Sequence, residues 1–120
     1  MSYDIYLRAT LAVCPTCGHA TAEPDLPSPT YNLGKIFAHA FTSTGNDEIA
    51  GLRGLNGRKA MDTIASLYEA HARLLNSSLE ATFRALETSN GWGTLNDARH
   101  VIGQLLDAAK AYPNHTWEIS

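Results

Sequence analysis

From Tyr3 to Val13 the chain alternates loosely between apolar and polar positions and is rich in Tyr, Ile, Leu and Val, which predicts a strand. The pattern then becomes helical. Leu33, Ile36, Phe37 and Ala40 mark one face of a short helix over 33–41. Met61, Ile64, Ala65, Tyr68, Ala72 and Leu75 repeat at helical spacing and predict a long helix over 58–75. Asn76-Ser77-Ser78 breaks it with N-cap chemistry, and Leu79, Phe83 and Leu86 mark the next helix. Thr94 is a good N-cap for a further long helix to about Tyr112, striped by Leu95, Ala98, Ile102, Leu105, Leu106 and Ala109 and stopped by Pro113 and Asn114. His115 to Ile119 reads as a final strand beside the first.

The segments between these elements carry breaker residues. Cys14 to His19 is a tight turn, followed by a short return strand over 20–23. Pro24, Pro27 and Pro29 exclude regular structure, making 24–29 a proline-rich connector. Gly45, Gly51, Gly54 and Gly57 make 42–57 loop-like, and Ser89 to Gly93 is another loop. The expected fold is α+β: a small sheet from the N- and C-terminal strands, with three or four helices packed on one face.

Composition narrows the class. At 120 residues the chain, 1–120, holds a single domain with no room for a second core. Apolar residues at 44% and charged residues at 18% are ordinary for a globular domain, which argues against disorder or a coiled coil. No apolar run approaches the roughly 20 residues of a membrane span. The net charge of -3 argues against a broad nucleic-acid-binding face but leaves room for a local basic site. Asp4 and Arg8 interrupt the apolar core a signal peptide requires, so the expected location is the cytoplasm.

In a reducing compartment, Cys14-Pro15-Thr16-Cys17-Gly18-His19 reads as a metal half-site before it reads as a disulfide. The spacing lets both thiolates reach one zinc ion at about 2.3 Å, with His19 the nearest further ligand. A possible zinc knuckle therefore involves Cys14, Cys17 and His19. The plainer alternative is a hairpin turn with two free thiols. A redox pair fits less well, since the turn does not follow a strand and open a helix.

Gly51 to Lys59, Gly-Leu-Arg-Gly-Leu-Asn-Gly-Arg-Lys, carries Arg53, Arg58 and Lys59 inside an acid-free window from Ile49 to Met61. Glycines admit close backbone approach, and a following helix offers free amides at its positive end, a combination suited to phosphate or carboxylate. The Walker spacing and the dinucleotide fingerprint are both absent. The alternative is a loop shaped by turn requirements, with Leu52 and Leu55 plugged into the core. Asn90-Gly91-Trp92-Gly93 and Thr30-Tyr31-Asn32 each open another helix. Their rings suit base stacking and their amides suit reading a base edge. Taken singly, Trp92 and Tyr31 also read as core anchors and the asparagines as turn caps. No HExxH, GxSxG or catalytic Cys-His signature appears, so the reading is non-enzymatic.

The ordered set Cys-Pro-Thr-Cys-Gly-His, Thr-Tyr-Asn-Leu-Gly-Lys-Ile-Phe, Gly-Leu-Arg-Gly-Leu-Asn-Gly-Arg-Lys-Ala and Asn-Gly-Trp-Gly, with Ser2 to Ile5 ahead and Tyr112-Pro113-Asn114 behind, resembles a family of small bacteriophage and prophage proteins. The resemblance covers nearly the whole chain. It implies an accessory gene product rather than a capsid or tail component, and by analogy one that counters host defence by sequestering a nucleotide signal. The expected function is thus binding of a small anionic, nucleotide-like ligand through Tyr31, Asn32, Arg53, Arg58, Lys59, Asn90 and Trp92. A protein–protein inhibitor aimed at a host protein and a small zinc-dependent enzyme are the alternatives. A homodimer is possible for a chain of this size.

Overall fold

The structure is a computed structural model that describes residues 3–8, 26–41, 51–87 and 93–120, the side chain of Tyr31 excepted. The cysteine turn, the expected return strand and Asn90 to Trp92 lie outside the described residues.

The two predicted end strands pair. β1 (Ile5–Arg8) runs antiparallel to β2 (Thr116–Ile119), with Ile5 opposite Ile119 and Leu7 opposite Trp117. The strand alternation sorts the residues by face: Ile5, Leu7, Trp117 and Ile119 are buried, while Tyr6, Arg8 and Glu118 point to solvent. Asp4 and Ser120 exchange both backbone hydrogen bonds and continue the ladder by one pair. On the outer face Arg8 Nε donates to Glu118 Oε2 at 2.6 Å, an exposed pair of small energetic weight.

The second edge of β2 is also taken. The amide of Gly57 donates to the carbonyl of Trp117, the amide of Trp117 to that of Arg58, and the amide of Ala60 to that of His115. Lys59 and Thr116 form the bridging pair. The Asn56 side chain accepts from the amide of Ile119 at 2.9 Å. Arg58 and Lys59 are therefore extended chain lying along a strand, and this is why the helix expected from residue 58 begins at Ala60.

The described residues form four α-helices: α1 (Gly34–Phe41), α2 (Ala60–Leu75), α3 (Glu80–Arg84) and α4 (Leu95–Ala111). Leu33, Ile36, Phe37 and Ala40 are buried as expected, and so is the whole predicted stripe of α4. α3 is shorter than its sequence pattern suggests. A 3₁₀ turn at Ser77–Leu79 precedes it, Phe83 is fully buried, and Leu79 and Leu86 only pack against the core edge. Another 3₁₀ turn, Leu52–Leu55, lies within the expected loop and plugs both leucines into the core. No helix among the described residues is long and apolar enough to cross a membrane.

α2 departs most from its sequence reading. Its buried residues are Ala60, Thr63, Ser66, Leu67, Ala70 and Leu74. Met61, Tyr68 and Leu75, read as a core stripe, are 50%, 61% and 55% exposed. Periodicity identifies a helix but assigns its inward face only when the opposite face is polar. Here Leu67 and Leu74 face the core among small residues, where α1 and α4 both pack, and Met61, Tyr68 and Leu75 face out.

The C-terminal strand is fastened to α2 through a buried polar relay. Trp117 Nε1 donates to Thr63 Oγ1 at 2.9 Å, and that hydroxyl donates to the carbonyl of Ala60 at 2.8 Å. Thr63→Val preserves the shape and strands the indole N–H in a site where Trp117 is 1% exposed. The expected cost is about 1–3 kcal/mol of unfolding free energy, measured by urea denaturation. Deleting His115 to Ser120 removes the strand itself and should abolish the cooperative unfolding transition.

Candidate functional site

Two of the three loop-to-helix junctions singled out by sequence meet in space. At the first, Thr30 Oγ1 accepts from the amide of Asn32 at 3.3 Å and the Thr30 carbonyl accepts from the amide of Leu33 at 3.1 Å. These bonds turn the chain into the 3₁₀ segment Tyr31–Leu33 that leads into α1. The proline connector before it is anchored by the amide of Tyr3, which donates to the Pro29 carbonyl at 2.7 Å.

The second junction is Gly93-Thr94. Gly93 has φ +95°, and a Cβ built there would lie 3.2 Å from each of Asn32 Cβ, Leu33 Cδ2 and Thr30 Cγ2. Bare backbone is therefore the surface on which the first junction rests. Thr94 then starts α4 with a capping box: its hydroxyl accepts from the amide of Asp97, and the Asp97 carboxylate accepts from the amide of Thr94. Glu87 Oε2 takes the amide of Leu95 at 2.7 Å.

Between these junctions lies a cleft of about 220 Å³, lined by Pro27, Ser28, Pro29, Thr30, Leu33, Asp97, His100 and Val101. Its walls are mainly prolyl and aliphatic. Asp97 and His100, one turn apart on α4, supply a carboxylate and an imidazole. Such a site accepts a flat apolar body carrying a few hydrogen-bonding groups. Neither is among the expected site residues: Asp97 belongs to the Thr94 capping box, which reads as a helix start, and His100 stands mid-helix in no motif. The signal that could have found them is the (i, i+3) spacing of two polar groups just inside a strong N-cap.

The third junction is placed differently. The Arg53 guanidinium sits over the Tyr3 ring, 5.5 Å from its centroid. Arg58 is half-buried on the chain that flanks β2, and Lys59 is exposed beside Thr116. The structure corrects the expectation of free amides at the start of the following helix. The amides of Ala60, Met61 and Asp62 donate to the carbonyls of His115, Pro113 and Lys59. The N-terminus of α2 is thus closed by the chain itself, as that of α4 is by Thr94, Asp97 and Glu87. An anion near the glycine loop would depend on the cationic side chains.

Asn32 is half-buried at the contact with Gly93. Asn90, Trp92, Cys14, Cys17 and His19 lie outside the described residues, as does the Tyr31 side chain. Among the described residues, no group of three or more His, Cys, Asp and Glu could hold a metal ion.

No family model, curated protein or solved structure matches the chain.

Gly93→Ala should destabilise the protein by about 1–3 kcal/mol, since it meets both the positive φ and three tight contacts. Gly57 also has positive φ, +80°, but a Cβ there meets nothing within 4 Å. Gly57→Ala should therefore cost only the backbone part, about 1 kcal/mol. Denaturation midpoints of the two variants measure the difference.

Proposed function

We propose that the protein binds a small nucleotide-like ligand and acts by holding it, with the ligand's ring in the cleft between the Pro27–Leu33 segment and the first turns of α4. The observation that carries this reading is the meeting of the two junctions at Gly93, which leaves an apolar-walled cleft with Asp97 and His100 at its margin. A carboxylate in the lining disfavours phosphate inside the cleft and suits N–H donors on a heterocycle. The phosphate then lies outside the cleft, where Arg53, over the ring of the Tyr3 whose amide anchors Pro29, is the nearest of its candidate partners, and Arg58 and Lys59 lie farther along β2. The resemblance to phage accessory proteins supports sequestration over turnover.

The test is thermal unfolding against nucleobases, nucleosides and nucleotides. A ligand at about 100 times its Kd adds about 2.7 kcal/mol, an upward Tm shift of roughly 10 °C for a chain this size. Ser28→Trp, which fills the cleft from its exposed rim, should abolish the shift for every ring-bearing ligand. Arg53→Ala and Arg58→Ala should weaken phosphorylated ligands selectively, as read by calorimetry. No stabilisation by any member of the panel, or an equal shift in Ser28→Trp, overturns the cleft assignment. Equal phosphate affinity in both arginine variants overturns the role of the cations alone.

A further inference from the structure

Among the described residues, three of the four large hydrophobic side chains left exposed lie on one helix face, the fourth being Tyr6 on β1. Met61, Tyr68 and Leu75 lie on α2 at successive intervals of seven residues, each half-exposed or more. Ala65 and Ala72 share that face, also seven apart and both exposed, and Ile64 borders it half-buried. At roughly 100° per residue these positions form one continuous seam about 21 Å long from Met61 to Leu75. A heptad of large residues alternating with alanine is the pattern of a helix packed along another helix, because alanine lets the two backbones approach.

We propose that this seam binds the same seam of a second copy, forming an antiparallel α2–α2 homodimer. A twofold interface requires a patch complementary to itself, and the seam is nearly palindromic. A twofold axis at Tyr68 sets Met61 against the second copy's Leu75 and Tyr68 against its own equivalent, and brings Ala65 within one residue of Ala72. The antiparallel arrangement also opposes the two helix dipoles favourably. The area is consistent with a weak association. The three large side chains bury roughly 300–400 Å² per copy on full coverage. With Ile64, Ala65 and Ala72 added, the two copies approach the lower end of specific interfaces, about 1,200 Å² in total. The dimer is therefore in exchange with monomer at micromolar concentrations. Asp62 and Glu69 are exposed roughly a quarter turn from the seam. The axis sets Asp62 beside Arg73 of the second copy and the two Glu69 residues near each other, so the rim charges largely offset and this association holds at high salt, whereas capture of a basic foreign helix loses by it.

Sedimentation equilibrium of the full chain from about 10 µM to about 1 mM tests the proposal. Wild type should show a monomer–dimer equilibrium that holds at high salt. Tyr68→Lys should weaken it at least about tenfold, with an unchanged thermal melt at low concentration because that side chain is already exposed. Met61→Lys and Leu75→Glu should each weaken the dimer, and the double variant should restore it, because the antiparallel axis pairs the new lysine with the new glutamate twice. Wild type monomeric throughout, a dimer indifferent to Tyr68→Lys, or a double variant no better than the single ones overturns the proposal.

Discussion

The fold depends on a C-terminal strand gripped from three directions. β1 pairs along one edge of β2, and the extended residues 57–60 run along the other. From below, the Trp117 indole reaches the Thr63 hydroxyl in the first turn of α2. The last of these contacts is the most demanding. The hydroxyl must accept from the indole and donate to the Ala60 carbonyl at once, which fixes the rotation of α2 about its own axis. That rotation decides which residues of α2 meet α1 and α4 and which meet water.

The same grip accounts for the character of the glycine-bearing loop. The amide of Gly57 in the loop and those of Ala60 and Met61 in the first turn of α2 are spent on the carbonyls of Trp117, His115 and Pro113, while Gly54, Asn56 and Arg58 donate back into the loop itself. A segment that reads as an anion cradle is, in its backbone, a structural seam between helix and sheet. The α4 junction follows similar logic with side chains in place of carbonyls, since Thr94, Asp97 and Glu87 satisfy its opening amides. Beside α4 the cleft presents proline rings, aliphatic groups and two polar side chains.

The parts of this arrangement visible in sequence are those governed by local rules. The alternation at Ile5 and Leu7, the Thr94 cap, the α4 stripe and the stop at Pro113 depend on neighbours in the chain, and each is where the pattern puts it. The inward face of α2 depends on distant partners. Thr63 is buried against the Trp117 indole, and Ala60 where its amide meets the His115 carbonyl. A hydrophobicity pattern that favours Met61, Tyr68 and Leu75 points the wrong way. The extended state of Arg58 and Lys59 is likewise set by pairing with Thr116, far along the chain. For the site, the motifs identified two junctions that do meet at Gly93. The cleft walls come from a proline connector that signals only irregular chain, and from α4 positions whose pattern signals a helix start and no ligand.

The pairing of Ile5 with Ile119 also governs the order in which this protein can assemble. β1 emerges early in synthesis, yet its partner is separated from it by almost the whole described chain. The closing of so long a loop is unfavourable until the contacts it brings are in place. The helical layer, whose contacts are nearer in sequence, has every reason to collapse first. The two strands then zip together late, onto a surface already formed. In that interval the β2 edge of β1 is exposed, and the polar Tyr6–Arg8 face and the short length of the strand are what keep it from pairing with other chains.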